Sequence, residues 1–268
     1  MRYRVHWETT YEYEMPARSL HTELRLLPAN RAAQWRIEGA IHLDPPARAF
    51  ELIDGWGNRY HHVDIVGPLQ QLTVSMSAEV ETAQMAIEEP TFPPLLERML
   101  LQPTLRSPSD PRIDALAAGL PLTSPLELAR AISDRIGERC VFEVGQTDVA
   151  STALDFLEQG RGVCQDFTHL IVAALRSRGV PARYVSGYLG PPEGEEVGAA
   201  SHAWVQVLDG RTWHGFDPAN RCDQDERYIV TAIGRDYDDV PPMRGGFHGL
   251  GEHEWATTVR VRAHVLEQ

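Results

Sequence analysis

The fold is indicated most directly by the stretch Gly160-Arg-Gly-Val-Cys-Gln-Asp-Phe-Thr-His169. Two glycines lead into Cys164, and the apolar residues that follow recur with the period of one helix face. These residues are Phe167, Leu170, Ile171, Ala174 and Leu175. Gly179 and Pro181 predict the end of this helix. Cys164 is therefore expected at a helix N-terminus, where the helix dipole favours a thiolate, the reactive form of cysteine.

A β-hairpin is predicted about forty residues further on. Residues 202–208 alternate in polarity, Asp209-Gly210 is a strong hairpin signal, and residues 211–217 form the returning strand. With Asp209 and Gly210 as the loop, His202 and Asp217 lie directly opposite each other. Opposed residues share a face of the sheet, with Cβ atoms roughly 4.5–5.5 Å apart. An imidazole–carboxylate hydrogen bond is therefore predicted, and a register change of one residue would abolish it.

The first part of the chain, to about residue 85, is predicted to be antiparallel β-structure. Alternating residues predict strands at Tyr3–Tyr13, Leu20–Leu27, Gln34–Leu43 and Leu72–Val80. Several short strands separated by turn residues are typical of a β-sandwich, and we expect a sandwich-like domain here.

A more helical region follows a proline-rich stretch. We expect a short helix at Leu95–Leu101, and Ser124-Pro-Leu-Glu127 is a capping pattern that predicts a helix over residues 125–137. Residues 181–189 are predicted to form a strand, and the polar, Gly/Pro-rich residues 190–198 a loop.

Composition is that of an ordinary globular protein, with 43% hydrophobic and 24% charged residues among 268. The net charge of −13 repels phosphate backbones, so nucleic acid is not an expected partner. We find no apolar run of the roughly 20 residues that a membrane span needs. The N-terminus lacks the apolar stretch of a signal peptide, and a cytoplasmic location is expected. Three scattered cysteines predict neither a disulfide framework nor a CxxC metal site, and no cofactor is expected.

Four segments, in order, resemble motifs of the transglutaminase-like superfamily. They are Gly162-Val-Cys-Gln-Asp-Phe-Thr-His-Leu170, Pro181-Ala-Arg-Tyr-Val-Ser-Gly-Tyr188, Ser201-His-Ala-Trp-Val205 and Gly215-Phe-Asp-Pro-Ala-Asn220. The chain is most similar to the bacterial branch with an N-terminal β-domain. Residues 234–242 also resemble the C-terminal segment of that branch. One departure is Ala219, where Thr is common in the family.

The resemblance implies an α+β fold, with a β-domain at residues 1–88 and a papain-like catalytic domain at residues 89–268. In that domain the nucleophile helix packs on an antiparallel sheet. The resemblance assigns the nucleophile to Cys164, the base to His202 and the orienting carboxylate to Asp217.

The implied chemistry is acyl transfer at an amide or peptide bond through a cysteine thioester. Water as the acceptor makes the enzyme a cysteine peptidase or amidase, and this is the favoured reading. A primary amine as the acceptor makes it a transglutaminase. The expected partner is a peptide or protein substrate, and the oligomeric state stays open.

Two other hypotheses also stay open. One is a catalytically inert interaction module. The other is a metal site built from Cys164, His169 and His202 or His214, although paired ligand spacing is missing. Trp204 and Trp213 flank the predicted pair of side chains and fit a groove wall or core packing equally well.

Overall fold

The computed structural model describes residues 1–83, 87–88, 94–199, 201–249 and 253–263. It has a mixed α+β fold with mostly antiparallel sheets and a β-rich N-terminal region, as the sequence predicts. Within these residues, no helix combines the length and the apolar character needed to cross a bilayer.

The elements in chain order are as follows. The first half contains β1 (Arg2–Leu24), β2 (Gln34–Asp44), β3 (Ala49–Ile53), β4 (Arg59–Thr82), β5 (Ile87–Glu88), α1 (Pro94–Leu100), α2 (Pro111–Ala117) and α3 (Pro125–Gly137). The middle contains β6 (Val141–Phe142), α4 (Ala153–Gln159), β7 (Arg161–Gly162), α5 (Cys164–Ser177), β8 (Ala182–Leu189) and β9 (Glu196–Ala199). The last part contains β10 (His202–Asp209), β11 (Thr212–Asp217), β12 (Cys222–Asp223), β13 (Tyr228–Gly234), a 3-10 turn (Tyr237–Asp239), β14 (Met243–His248) and β15 (His253–Ala263).

The N-terminal sheet is built around two long strands, β1 and β4, which pair along most of their length. The predicted strand Tyr3–Tyr13 and the first part of Leu20–Leu27 belong to the single strand β1, which ends at Leu24, so the prediction of two strands was wrong. Pro16 is usually a strand breaker, but here it lies at a register shift between Glu12 and Ala17. The bulge lets β1 continue, with its first part paired to β15 and its last part paired to β14.

The predicted division at residue 88 differs from the membership of the sheets. β9, β14 and β15 all lie beyond residue 88 yet belong to the N-terminal sheet, whereas β5 pairs with β11 in the second sheet. β9 lies in the segment predicted to be a loop, and it forms because β15 offers it an edge. Residues 1–88 and 89–268 thus stay a prediction for the domains, while strands from both ranges build the first sheet.

The second sheet has the order β12-β11-β10-β8-β13 and holds the candidate site. α5 and α3 pack on its helical face, and α2 and α4 pack on α5. The apolar residues of these helices form one core with Val205, Val207 and Phe216. α3 begins and ends where the capping pattern predicts, with the Ser124 hydroxyl accepting the N–H of Glu127. Tyr188 and Ile229 oppose each other near the ends of β8 and β13 and join the core of the N-terminal sheet. The opposite face of the second sheet is buried in separate clusters around Trp204 and Trp213.

Two side-chain amides join the sheets at the edge of β13. The Gln34 amide accepts the backbone N–H of Val230 and donates to its carbonyl, both at 2.8 Å. The Asn58 amide does the same for Ile233, at 2.9 and 2.7 Å. An unpaired strand edge must satisfy its backbone polar groups. The N-terminal region supplies these partners and thereby fixes the second sheet against the first.

Candidate active site

The turn before α5 places Cys164 at the first position of that helix, as predicted. The Asp166 carboxylate accepts the N–H of Val163 at 2.7 Å and the hydroxyl of Thr147 at 2.6 Å. A Cβ at position 162 would lie 2.5 Å from this carboxylate, so glycine is required there. Asp166 is buried, and burial raises its pKa. These contacts hold the backbone that carries the Cys164 thiol.

The hairpin between β10 and β11 forms in a register two residues away from the predicted one. Asp209 pairs with Thr212, so the loop is Gly210-Arg211, and direct opposition of His202 and Asp217 was wrong. Gly210 has φ 61°, which suits the first position of a type II′ loop. Because the shift is two residues, the parity of the strands is unchanged and both side chains still point to one face.

His202 and Asp217 meet across this face. The distance from His202 Nε2 to Asp217 Oδ2 is 2.6 Å, which confirms the predicted contact. The Cys164 thiol lies near enough to His202 to help raise the pKa of the imidazole. Since Nε2 faces the carboxylate, Nδ1 is the ring nitrogen available to the thiol. Burial lowers the pKa of His202, but the hydrogen bond to Asp217, the nearby Cys164 and the charges of both groups raise it to about 10.

Asp217 is fully buried and accepts hydrogen bonds on both oxygens. Oδ1 accepts the backbone N–H groups of Ala219 and Asn220 at 2.9 and 3.0 Å. Oδ2 accepts the Asn220 amide at 2.7 Å and the Tyr228 hydroxyl at 2.9 Å, besides His202. Burial alone would raise the pKa of Asp217, but the hydrogen bonds from His202 and Asn220 hold it below its ordinary value.

The roles of Asn220 and Tyr228 were missed by sequence reasoning. Asn220 closes the motif Gly215–Asn220, and a donor three residues after a buried carboxylate was a usable signal. Tyr228 begins β13 and Asp217 ends β11, and the arrangement of the second sheet brings the two side chains together. Spacing in the sequence therefore could not have identified Tyr228. Ala219 donates its backbone N–H, which explains why a residue other than Thr is compatible with the site.

The two tryptophans near the hairpin belong to the core. Trp204 is fully buried, its ring lies 6.1 Å from that of His202, and its Nε1 donates to Gln224. Trp213 is buried with Leu100 and Leu208. Of the two open alternatives, the structure therefore supports core packing.

The residues of the hypothetical metal site are not gathered together. His169 is buried in α5, where its Nε2 accepts the backbone N–H of Tyr237 at 3.1 Å. Burial lowers the pKa of His169 to about 3, so its ring is neutral. His214 lies three residues before Asp217 on β11 and therefore points to the opposite face of the sheet.

Comparison with known proteins identifies the family. Residues 114–218 match the transglutaminase-like superfamily, and residues 3–81 match the bacterial transglutaminase-like N-terminal region. The chain therefore belongs to the transglutaminase-like superfamily, in the branch that carries this N-terminal region. The family and the α+β fold predicted from the sequence are both confirmed.

Two relatives and one solved structure are similar to the chain over most of its length. An uncharacterised protein of Mycobacterium leprae is 36% identical over 274 residues, covering 97% of this chain and 98% of that protein. An uncharacterised protein of Mycobacterium tuberculosis is 34% identical, covering 91% of this chain and 87% of that protein. The crystal structure of a candidate cysteine protease from Cytophaga hutchinsonii has a TM-score of 0.80 at 21% identity. It covers 100% of this chain and 91% of that chain, and it shows a shared fold.

Proposed function

We propose that this protein is a cysteine peptidase or amidase that works through a thioester on Cys164. The observation that carries the proposal is the 2.6 Å contact between His202 and the buried Asp217 carboxylate, at a position where Cys164 also raises the pKa of His202. A nucleophile, a base and a group that orients the base form the arrangement required for covalent acyl transfer.

In the first half-reaction, His202 carries the proton that Cys164 has given up. The thiolate attacks the carbonyl carbon of the scissile amide and forms a C–S bond. The oxygen then becomes an oxyanion, for which the backbone N–H of Cys164, unpaired within the helix at this first position, is the proposed donor. Collapse breaks the C–N bond, His202 donates its proton to the amine, and the acyl group stays on sulfur as a thioester.

In the second half-reaction, the neutral imidazole of His202 takes a proton from water while the water oxygen attacks the thioester. The C–S bond breaks, the carboxylic acid leaves, and the proton on His202 restores the resting pair. Asp217 stays ionised throughout, because the donors around it favour the carboxylate. It stabilises the imidazolium and fixes the orientation of the ring.

We favour water over an amine as the acceptor, in part because of the acidic run at residues 223–226. Asp223 pairs with Arg130, and Asp225 pairs with Arg227 at 2.7 Å. These carboxylates are thus engaged by arginines of the same chain. This arrangement differs from the calcium-binding acidic loop of the crosslinking enzymes of animals.

The experiment that tests the proposal is incubation with a peptide library, with and without a primary amine, followed by mass spectrometry. Cleaved or deamidated products that appear without the amine and require Cys164 are expected. Products that appear only with the amine, as conjugates, would identify a transglutaminase. If no Cys164-dependent product forms and iodoacetamide does not modify Cys164, the inert interaction module replaces the proposal.

The substrate class and the compartment are also proposed. A peptide or protein substrate follows from amide chemistry, and a cytoplasmic location fits three thiols that are all free, Cys140, Cys164 and Cys222. Fractionation of the producing cells tests the location, and recovery of the protein outside the cytoplasmic fraction would contradict it.

A further inference from the structure

A cavity of about 470 Å³ opens beside the candidate active site. Gln165 and Ser201 line it, and these residues directly follow Cys164 and directly precede His202. Tyr237 also lines it and packs on the same buried cluster as Cys164. His169 holds Tyr237 in place by accepting its backbone N–H. The cavity is therefore adjacent to both reacting side chains, and its volume lies in the range of ligand-binding pockets.

The opposite wall of this cavity comes from the N-terminal sheet. Trp7 and Tyr11 of β1 and Trp255 of β15 line it, and Tyr11 is the direct cross-strand partner of Trp255. The Trp7 indole N–H donates to the Thr9 hydroxyl at 2.7 Å, so the ring has an internal partner for its polar group. Opposed residues share a face of the sheet, and these aromatic rings form an apolar wall there.

The chemistry of the cavity is that of an apolar subsite. None of the described residues that line it is formally charged at neutral pH, in a protein whose net charge is −13. Pockets of this kind gain affinity from the apolar surface that they remove from water. A charged side chain would lose its hydration there without a partner, so the wall selects against it.

A second cavity, of about 370 Å³, continues from the first and shares Tyr11, Tyr237 and Trp255 with it. Its lining adds charged residues, including Arg106 and Asp238, which pair at 3.0 Å. Together the two cavities make a groove with an apolar part beside Cys164 and a polar part further away. A groove of this extent fits several residues of an extended chain.

We propose that the larger cavity binds an aromatic or large aliphatic side chain next to the scissile amide of a peptide substrate. The N-terminal sheet then contributes directly to substrate recognition, with Trp7, Tyr11 and Trp255 as specificity-determining residues. This inference rests on the proposed function, because it assumes that the neighbouring thiol is the reacting group.

Binding to the Cys164→Ala variant tests the inference without relying on turnover. The probes are two capped pentapeptides, acetyl-Ala-Ala-Phe-Ala-Ala-amide and the same peptide with Ser in place of Phe, measured by calorimetry. Burial of a benzyl group is expected to make the Phe peptide bind at least about tenfold more tightly. Adding Trp255→Ala is expected to reduce this ratio by about threefold or more.

A matched control is Trp35→Ala, in the same Cys164→Ala background. Trp35 lies on β2 and is 65% exposed, like Trp255 at 64%, but it lines neither part of the groove. The Phe-to-Ser ratio is expected to stay unchanged in this variant. Equal affinities for the two peptides, or a ratio that Trp255→Ala leaves intact, would overturn the inference.

Alkylation of the wild-type protein locates the bound peptide and separates the two proposals. The Phe peptide is expected to slow the initial reaction of iodoacetamide at Cys164, whereas the Ser peptide at the same concentration has little effect. Binding without protection of the thiol would place the peptide elsewhere and overturn the inference. A Cys164 that iodoacetamide does not modify even without peptide would instead contradict the proposed function, whatever the affinity ratio.

Discussion

The two antiparallel sheets of this protein differ in how their faces are covered. In the sheet that carries His202 and Asp217, all of β13 and all of β8 except Leu189 are buried. In the N-terminal sheet, β1 alternates between buried and exposed residues from Tyr3 to Thr9. The second sheet has helices on one face and the clusters around Trp204 and Trp213 on the other, while β1 of the N-terminal sheet turns alternate residues away from the core.

The proposed catalytic residues on strands therefore lie in the sheet with both faces covered, and the aromatic residues that line the groove lie in the sheet with one face partly exposed. Side chains in a sheet covered on both faces have few alternative arrangements, because interiors are close-packed. Such a sheet suits an imidazole and a carboxylate that must keep one geometry. A half-covered sheet can present exposed aromatic residues such as Trp255 at a groove without loss of its core.

The largest expected effect on activity comes from the helix that packs on the covered sheet. Cys164→Ala is expected to abolish turnover of peptide substrates while the fold stays intact. Alanine fits a half-buried thiol site and supplies no nucleophile. Peptide cleavage and thermal melting measure the two properties. Cys222→Ala is the control and is expected to change the rate little. An inactive Cys222→Ala variant beside an active Cys164→Ala variant would show that Cys164 is not the nucleophile.

Asp217→Asn is expected to lower kcat by roughly 10⁴-fold, as replacement of the orienting carboxylate by an amide does in a serine-protease triad. The side-chain amide would also face two backbone N–H donors and the Tyr228 hydroxyl, in a site built to favour a carboxylate. Single-turnover kinetics measure the effect. A variant with an unchanged rate would mean that the contact between His202 and Asp217 is only structural.

The space around two glycines, one in each sheet, predicts different effects of alanine on the free energy of unfolding. A Cβ at Gly187, opposite His202, would lie 2.0 Å from the carbonyl oxygen of Ile229, whereas one at Gly246 of β14 would meet no atom within 4 Å. Gly187→Ala is expected to lower the free energy of unfolding by about 1–3 kcal/mol or more. Gly246→Ala is expected to change it by less than about 0.5 kcal/mol. Similar losses of unfolding free energy in urea denaturation would contradict the difference in packing at these two positions.

The smallest expected effect is a shift in the pH dependence. The pKa of His202, raised to about 10, means that the imidazolium persists at neutral pH and is lost only as the pH rises through that value. In the proposed mechanism the imidazolium protonates the leaving amine, so kcat/KM is expected to fall on an alkaline limb near pH 10. In Asp217→Asn, which loses the carboxylate that raises this pKa, the limb is expected about one pH unit lower or more. An alkaline limb at the same pH in both proteins would contradict the effect of the Asp217 carboxylate on the pKa of His202.

The local features of this site could be predicted from the sequence. Glycines, an apolar stripe and a stop signal placed Cys164 at the start of α5, and strand parity placed His202 and Asp217 on one face. These features depend on neighbours within one helix or one hairpin, where spacing and geometry are closely linked. The two-residue error in the hairpin register arose because Gly210 can occupy either loop position, and both choices keep the parity.

The long-range parts could not be predicted in the same way. The pairing of β1 with β15 joins residues at opposite ends of the chain, and no local pattern specifies which distant strand adds to an edge. The Tyr228 hydroxyl bond to Asp217 and the Gln34 amide at the edge of β13 likewise depend on how the sheets are placed. The groove beside Cys164 is a product of that placement, so its lining was also invisible in the sequence.

Trapping the acyl-enzyme tests the central claim most directly. The protein would be mixed with a cleavable peptide, quenched in acid within the first turnover, and mapped by mass spectrometry. We expect an added mass equal to the acyl part of the substrate, located on Cys164, removed by hydroxylamine as a thioester is, and missing in Cys164→Ala. Product formation with no adduct on Cys164, or with the acyl group on another residue, would contradict the account.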